Sequence, residues 1–167
     1  MAAALDLSSD IQLLRYSDNA ENFYIPNKPQ PKRNGKLRQT YNIKPALKKI
    51  QNRILHGILR NVEYPLYLQG SIKDENCPRD YVTNSAFHTS SRIIMKFDIK
   101  EFFDSISSQK VYGMWKYFFK FPHDVAIVLT KLTTYNGSVP QGAKTSSYIA
   151  NLIFWEFEPY VKELLEK

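Results

Sequence analysis

Phe97-Asp98-Ile99-Lys100-Glu101-Phe102-Phe103-Asp104-Ser105-Ile106 is the stretch on which the reading of this chain turns. Ile93, Ile94, Met95 and Phe97 lead into Asp98 as a buried strand, so a carboxylate stands at a strand end with an aromatic ring, Phe103, five residues later. A strand end positions a side chain more tightly than a loop does. The decapeptide also admits a plainer reading, with Asp98 a strand-end or cap carboxylate and Phe102 and Phe103 ordinary core. Asp104 reads as a local cap or turn residue rather than a metal ligand.

A second informative segment lies downstream: Val139-Pro140-Gln141-Gly142-Ala143-Lys144-Thr145-Ser146-Ser147 follows the tight-turn signal Asn136-Gly137. Gly142 lets backbone approach a substrate, and Gln141 offers both a donor and acceptors. Thr145 and Ser146 can cap the helix that follows, whose N-terminus favours a nearby anion. The plainer reading is an ordinary helix-entry turn. That helix runs from about Thr145 along Ile149, Leu152, Ile153, Phe157, Val161 and Leu164. Pro159 should kink or break it, since an interior proline costs about 3 kcal/mol.

Between the two segments, Ser107 or Ser108 can cap a helix carrying Val111, Met114, Trp115 and Phe118. Phe121-Pro122 breaks it, and a second helix holds Val125, Val128, Leu129 and Leu132. Upstream, Phe23-Tyr24-Ile25-Pro26 reads as a short strand stopped by proline. Residues 27–35 form a hairpin tip, and residues 36–41 return as a second strand. Ile43, Leu47, Ile50, Ile54 and Ile58 recur at helical spacing, decorated by Lys44, Lys48, Lys49, Arg53 and Arg60. Residues 1–20 are weakly patterned and should pack loosely on the outside. Helices alternate with short strands, so the class is α+β.

With 167 residues the chain can bury a proper core, and 43% hydrophobic residues exclude a disordered composition. Eleven Tyr, ten Phe and a net charge of +7 fit a polyanion that also offers rings to stack on, which is nucleic acid; the alternative is a basic solvated surface. The single Cys77 excludes an internal disulfide and a cysteine metal cluster. The N-terminal residues lack the pattern of a secretion signal, and no apolar run approaches the ~20 residues of a membrane span, so a cytoplasmic protein without membrane contact is expected.

The two segments, in this order, resemble bacterial reverse transcriptases of the retron and group II intron-like type, over residues from about 21 to 167. Asp98 through Ile106 matches the aspartate-plus-double-aromatic motif. Pro140-Gln141-Gly142-Ala143 with Thr145-Ser146 and Ala150-Asn151-Leu152 matches the next. Tyr24-Ile25-Pro26-Asn27-Lys28, Gly35-Lys36-Leu37-Arg38 and Lys48-Lys49-Ile50-Gln51 fit upstream, and Gly70-Ser71-Ile72 with Asn76 fits a weaker intervening motif. The family often has proline where Lys144 and Ser147 stand.

The resemblance implies the fingers and an incomplete palm of a right-hand polymerase, with the thumb absent. Residues 1–20 are then an N-terminal extension, 21–95 a fingers-like region, and 96–167 a partial palm. It implies RNA-directed DNA polymerase chemistry: a dNTP is added to a DNA or RNA primer on an RNA template, with two Mg²⁺ ions in the complete enzyme. Asp98 would be the first metal ligand, and Ile99 would contact metal or phosphate through its backbone. Phe103 would gate the sugar, excluding a 2′-hydroxyl by bulk. Gln141 and Gly142 would lie against the incoming nucleotide, Arg38 and Lys36 would reach its triphosphate, and Lys44, Lys48, Lys49 and Arg53 would line the template path.

The family's other catalytic carboxylates come from a paired-aspartate turn, and this sequence has no adjacent aspartate pair. The expectation is an N-terminal part, inactive alone. Its rivals are a non-catalytic RNA-binding module and one half of a split polymerase whose partner chain supplies the remaining palm and thumb. Retron, intron, phage-defence and mobile-element settings share these motifs.

Overall fold

The computed structural model describes residues 1–5, 9–32, 35–74 and 77–165. Asn76, of the weaker intervening motif, lies outside them. The amphipathic pattern starting at Ile43 becomes helix α2 (Pro45–Gly57), with proline in its first turn, where the missing N–H has no intrahelical partner to lose. Leu47, Ile50, Ile54 and Leu55 face the core and are fully or nearly fully buried. Gln51 is buried on the same face; its side-chain amide donates to Tyr24 Oη and to the Leu132 carbonyl, both at 2.9 Å.

Helix α5 (Ser108–Gly113) opens as the sequence predicts, with Ser107 Oγ accepting from Lys110 N–H at 3.3 Å. It continues into a single π turn over Met114–Phe118, closed where Phe119 N–H donates to the Met114 carbonyl at 3.2 Å. Trp115 in that turn is wholly buried against Phe119 and Phe121. After Pro122, α6 (His123–Thr133) packs on α5 and α2, placing Leu129 and Leu132 in the core. Burying each such side chain contributes roughly 1.5–3 kcal/mol. Asn136 and Gly137 then turn the chain with φ of 48° and 75°, and Tyr135 and Ser138 exchange backbone hydrogen bonds across the turn.

The described part of residues 1–20 is not loosely attached. Helix α1 (Asp10–Asp18), capped by Ser9, packs along α6, and Leu5 and Leu13 are each 3% exposed. Leu5, Leu13 and Ala20 anchor the segment, while Ile11 and Leu14 stay at least half exposed.

The hairpin consists of β1 (Tyr24–Pro26), β2 (Gln30–Pro31), β3 (Leu37–Arg38) and β4 (Tyr41–Ile43), paired antiparallel as β1 with β4 and β2 with β3. The returning strand is therefore two pieces. Between them the Gln39 side chain donates to the carbonyls of Asn27 and Thr40, at 2.8 and 2.9 Å, and stitches the arms together.

The expected strand before Asp98 is not formed. Residues 93–100 follow α3 (Tyr81–Ala86) as an irregular exposed segment, with Ile93 at 81% and Phe97 at 85% exposure. A strand needs a neighbour for its N–H and C=O groups, and no strand lies beside this run among the described residues. Downstream come α4 (Phe102–Ser105), α7 (Ser146–Leu152) and α8 (Glu158–Leu165). The long helical pattern is broken over 153–157, with Pro159 in the first turn of α8.

Candidate active site

Three chain segments far apart in sequence enclose one cleft of about 700 Å³. The hairpin contributes Lys32, Lys36, Arg38 and Thr40. The turn into α4 contributes residues 98–103, and the loop before α7 contributes Gln141, Gly142, Ala143, Ser146 and Ser147.

The loop is held from both sides. Val139 N–H donates to the Ile106 carbonyl at 3.1 Å and Ser108 N–H to the Gly137 carbonyl at 2.7 Å, which ties it to the α4–α5 junction. Within it, Ser146 Oγ donates to the Pro140 carbonyl at 2.6 Å. Toward the hairpin, Tyr41 N–H donates to the Gln141 carbonyl at 2.9 Å. Gly142 has φ of +107°, and a Cβ there would stand 2.7 Å from the Tyr41 carbonyl oxygen. This position needs glycine because β4 presses on it. The Tyr41 ring packs on Tyr24 and Tyr135, with the Tyr135 centroid 4.8 Å away.

The turn holds its conformation with less support. Glu101 takes the left-handed conformation, φ 52° and ψ 43°, directly before α4. Phe102 stacks on Phe154, centroids 5.7 Å apart and planes 6° from parallel, and touches Phe103. Asp98 and Ile99 are exposed on the cleft rim. Across the cleft, Lys36 Nζ meets Glu101 Oε1 at 3.2 Å. That hydrogen bond and the charge of Lys36, helped by Lys100 and Lys32, hold the Glu101 carboxyl below its ordinary range. Among the described residues four cations (Lys32, Lys36, Arg38, Lys100) thus line the cleft against two carboxylates (Asp98, Glu101), an excess suited to an anionic ligand.

Seven residues singled out in the sequence line this cleft together: Asp98, Ile99, Lys36, Arg38, Phe103, Gln141 and Gly142. Lys44, Lys48, Lys49 and Arg53 do not; they lie at the start of α2 and along it, the lysines exposed and Arg53 half-buried. Thr145 and Ser146 do not cap α7. Thr145 is helical, wholly buried and bonds nothing through its hydroxyl among the described residues, while the Ser146 hydroxyl is taken by Pro140. Sequence reasoning passed over Lys32, Lys100 and Glu101 as site residues, although Lys100 and Glu101 sit inside the decisive decapeptide. Charge partners across 65 residues leave no local signal.

Among the described residues no three His, Cys, Asp or Glu side chains gather as a metal cluster. The Asp98 carboxylate and the Ile99 carbonyl are hard oxygen donors of the kind Mg²⁺ takes. They fit such an ion where substrate phosphates and water complete its shell. No helix among the described residues is long and apolar enough to cross a membrane.

Comparison with known proteins places the sequence in a family. The chain is 42% identical over 126 residues to the Retron Se72 reverse transcriptase of Salmonella heidelberg (strain 579083-10), covering 75% of this chain and 32% of that protein. It is 32% identical over 135 residues to the Retron Ec48 reverse transcriptase of Escherichia coli, covering 77% and 33%. With the Retron Ec86 reverse transcriptase of Escherichia coli the identity is 28% over 144 residues, covering 86% and 43%. The chain spans about a third of the length of the first two relatives. The model of the family described as "Reverse transcriptase (RNA-dependent DNA polymerase)" matches residues 26–163, and the chain belongs to that family.

Proposed function

We propose that the cleft binds a deoxynucleoside triphosphate and that, in the protein at its natural length, it transfers the nucleotide to a primer 3′-hydroxyl on an RNA template. The observation that carries this reading is the convergence of seven residues from three separate segments on one cation-rich cleft. Residues 21–95 act as fingers and 96–167 as part of a palm, with 1–20 an extension whose helix α1 packs on α6. Arg38 and Lys36 bind the triphosphate from the hairpin. Phe103 bounds the sugar and excludes a 2′-hydroxyl. Gln141 lies beside the incoming nucleotide, and Gly142 serves it indirectly by letting the loop dock on β4. Asp98 and the Ile99 carbonyl hold Mg²⁺. Two such ions, when bound, stabilise the attacking and leaving oxygens of an in-line displacement. Lys44, Lys48, Lys49 and Arg53 serve the template rather than the nucleotide.

The exposed run from Ile93 to Phe97 favours one addition. A further stretch of polypeptide, of this protein or of a partner chain, pairs with it and brings the remaining carboxylates to Asp98.

The test is primer extension by the natural-length protein, with an oligo(dT) primer on poly(rA), dTTP and Mg²⁺. Extension that Asp98→Asn abolishes supports the reading, and extension that survives this change overturns it.

A further inference from the structure

Glu101 has no role in the chemistry assigned above, yet it stands where a polyphosphate should meet Lys36. Its backbone lies in the left-handed region, where glycine is favoured and a side chain carries a conformational cost. What its side chain does there is reach across the cleft to Lys36 at 3.2 Å. Among the described residues the hairpin meets the other two walls of the cleft through contacts of different character. At its base, β4 is bonded to Gln141 and pressed against Gly142, with the Tyr41 ring buried among Tyr24 and Tyr135. At its tip the Lys36–Glu101 contact is half exposed, and an ion pair of this kind is weak and screened by salt. The base is fixed, and the tip contact is one that a stronger anion can displace.

We propose that Glu101 is a positioning residue: a carboxylate stand-in for phosphate that holds Lys36 across the cleft and yields it to the incoming triphosphate. This rests on the reading of the cleft as a nucleotide site. Glu101 competes with the nucleotide for one ammonium group, so removing its charge strengthens nucleotide binding, and only while Lys36 is present.

The experiment is a double-mutant cycle on the natural-length protein in the same primer-extension assay. Glu101→Gln lowers the KM for dTTP about threefold, the change carried by KM rather than kcat, and high salt diminishes it. Lys36→Ala raises KM, and adding Glu101→Gln in that background changes it no further. Glu101→Gly separates this role from a structural one: it lowers KM as Glu101→Gln does, while thermal stability is unchanged or higher because glycine suits the backbone. An unchanged or raised KM in Glu101→Gln overturns the proposal. So does an equal drop with and without Lys36, which makes Glu101 a background charge. Activity that survives Asp98→Asn instead overturns the nucleotide-site reading itself, so the two failures are distinguishable.

Discussion

Two apolar runs in this molecule end in opposite states. Tyr24–Pro26 lies against Tyr41–Ile43 with its Tyr24 ring buried, whereas residues 93–97 hold Phe97 and Ile93 out in solvent. Intrinsic preference does not separate them, because isoleucine and phenylalanine are strong strand formers. What separates them is a neighbour. The hairpin supplies its own second arm through a short turn, and the aromatic faces of Tyr41 and Tyr135 cover what the pairing leaves open. Among the described residues the 93–97 run has neither. The walls of the cleft are therefore unequally supported: hairpin and loop are locked to each other, while Asp98 rides on the segment with least packing around it.

This contrast can be broken or sharpened by experiment. The largest effect is expected at the poorly supported wall, where chemistry rather than stability is at stake: Asp98→Asn should lower primer extension on the order of a thousandfold and leave the melting temperature nearly unchanged. At the supported wall the balance reverses. Tyr24→Ala removes a buried ring and the acceptor of Gln51, and should cost about 3 kcal/mol in denaturant unfolding. Gly142→Ala sets a methyl group against the Tyr41 carbonyl at a positive φ and should cost about 2 kcal/mol.

Alkaline titration probes the same packing. Burial raises the hydroxyl pKa values of Tyr24 and Tyr64 above the ordinary 10.0. Below pH 10 both states keep the proton and this stability is fully present. Above it the unfolded chain ionises first, so stability should fall by up to about 1.4 kcal/mol per pH unit for each tyrosine. Melting temperatures from pH 8 to 11 would show it, and a flat profile above pH 10 would count against the burial. The smallest effect is expected at Phe97→Ser in the 167-residue chain by itself, within about 0.5 kcal/mol, because an exposed ring has little packing to lose. A large loss there would mean that the 93–97 run is covered in solution.

Local chemistry made much of the fold legible. Ser107 is a cap because its hydroxyl reaches an N–H three residues on. Asn136-Gly137 is a tight turn because both residues accept positive φ. Pro159 interrupts a helical pattern because it lacks the donor the pattern needs. The gathering of Asp98, Phe103, Gln141, Lys36 and Arg38 was legible only through family resemblance, since nothing in their spacing says that three segments converge. What stayed hidden depends on contacts between distant segments. That β4 presses on Gly142 is invisible in the residues around that glycine. So is the ion pair that Lys36 makes with Glu101. Thr145 and Ser146 have the chemistry of caps, but burial and the Pro140 carbonyl claim them first.

The bonds that knit the hairpin to the rest of the molecule also set the order in which the cleft can come into being. Lys36 and Glu101 are 65 residues apart, and Gln51 waits 81 residues for the Leu132 carbonyl. A chain emerging from the ribosome can form the hairpin and α2 early, from local contacts, but it carries an open binding surface of lysines and tyrosines until the Pro-Gln-Gly loop has been made. Loop closure over such spans is slow relative to local pairing. The cleft is therefore among the last features of this region to assemble, and a translational pause or break before residue 141 leaves it without its third wall.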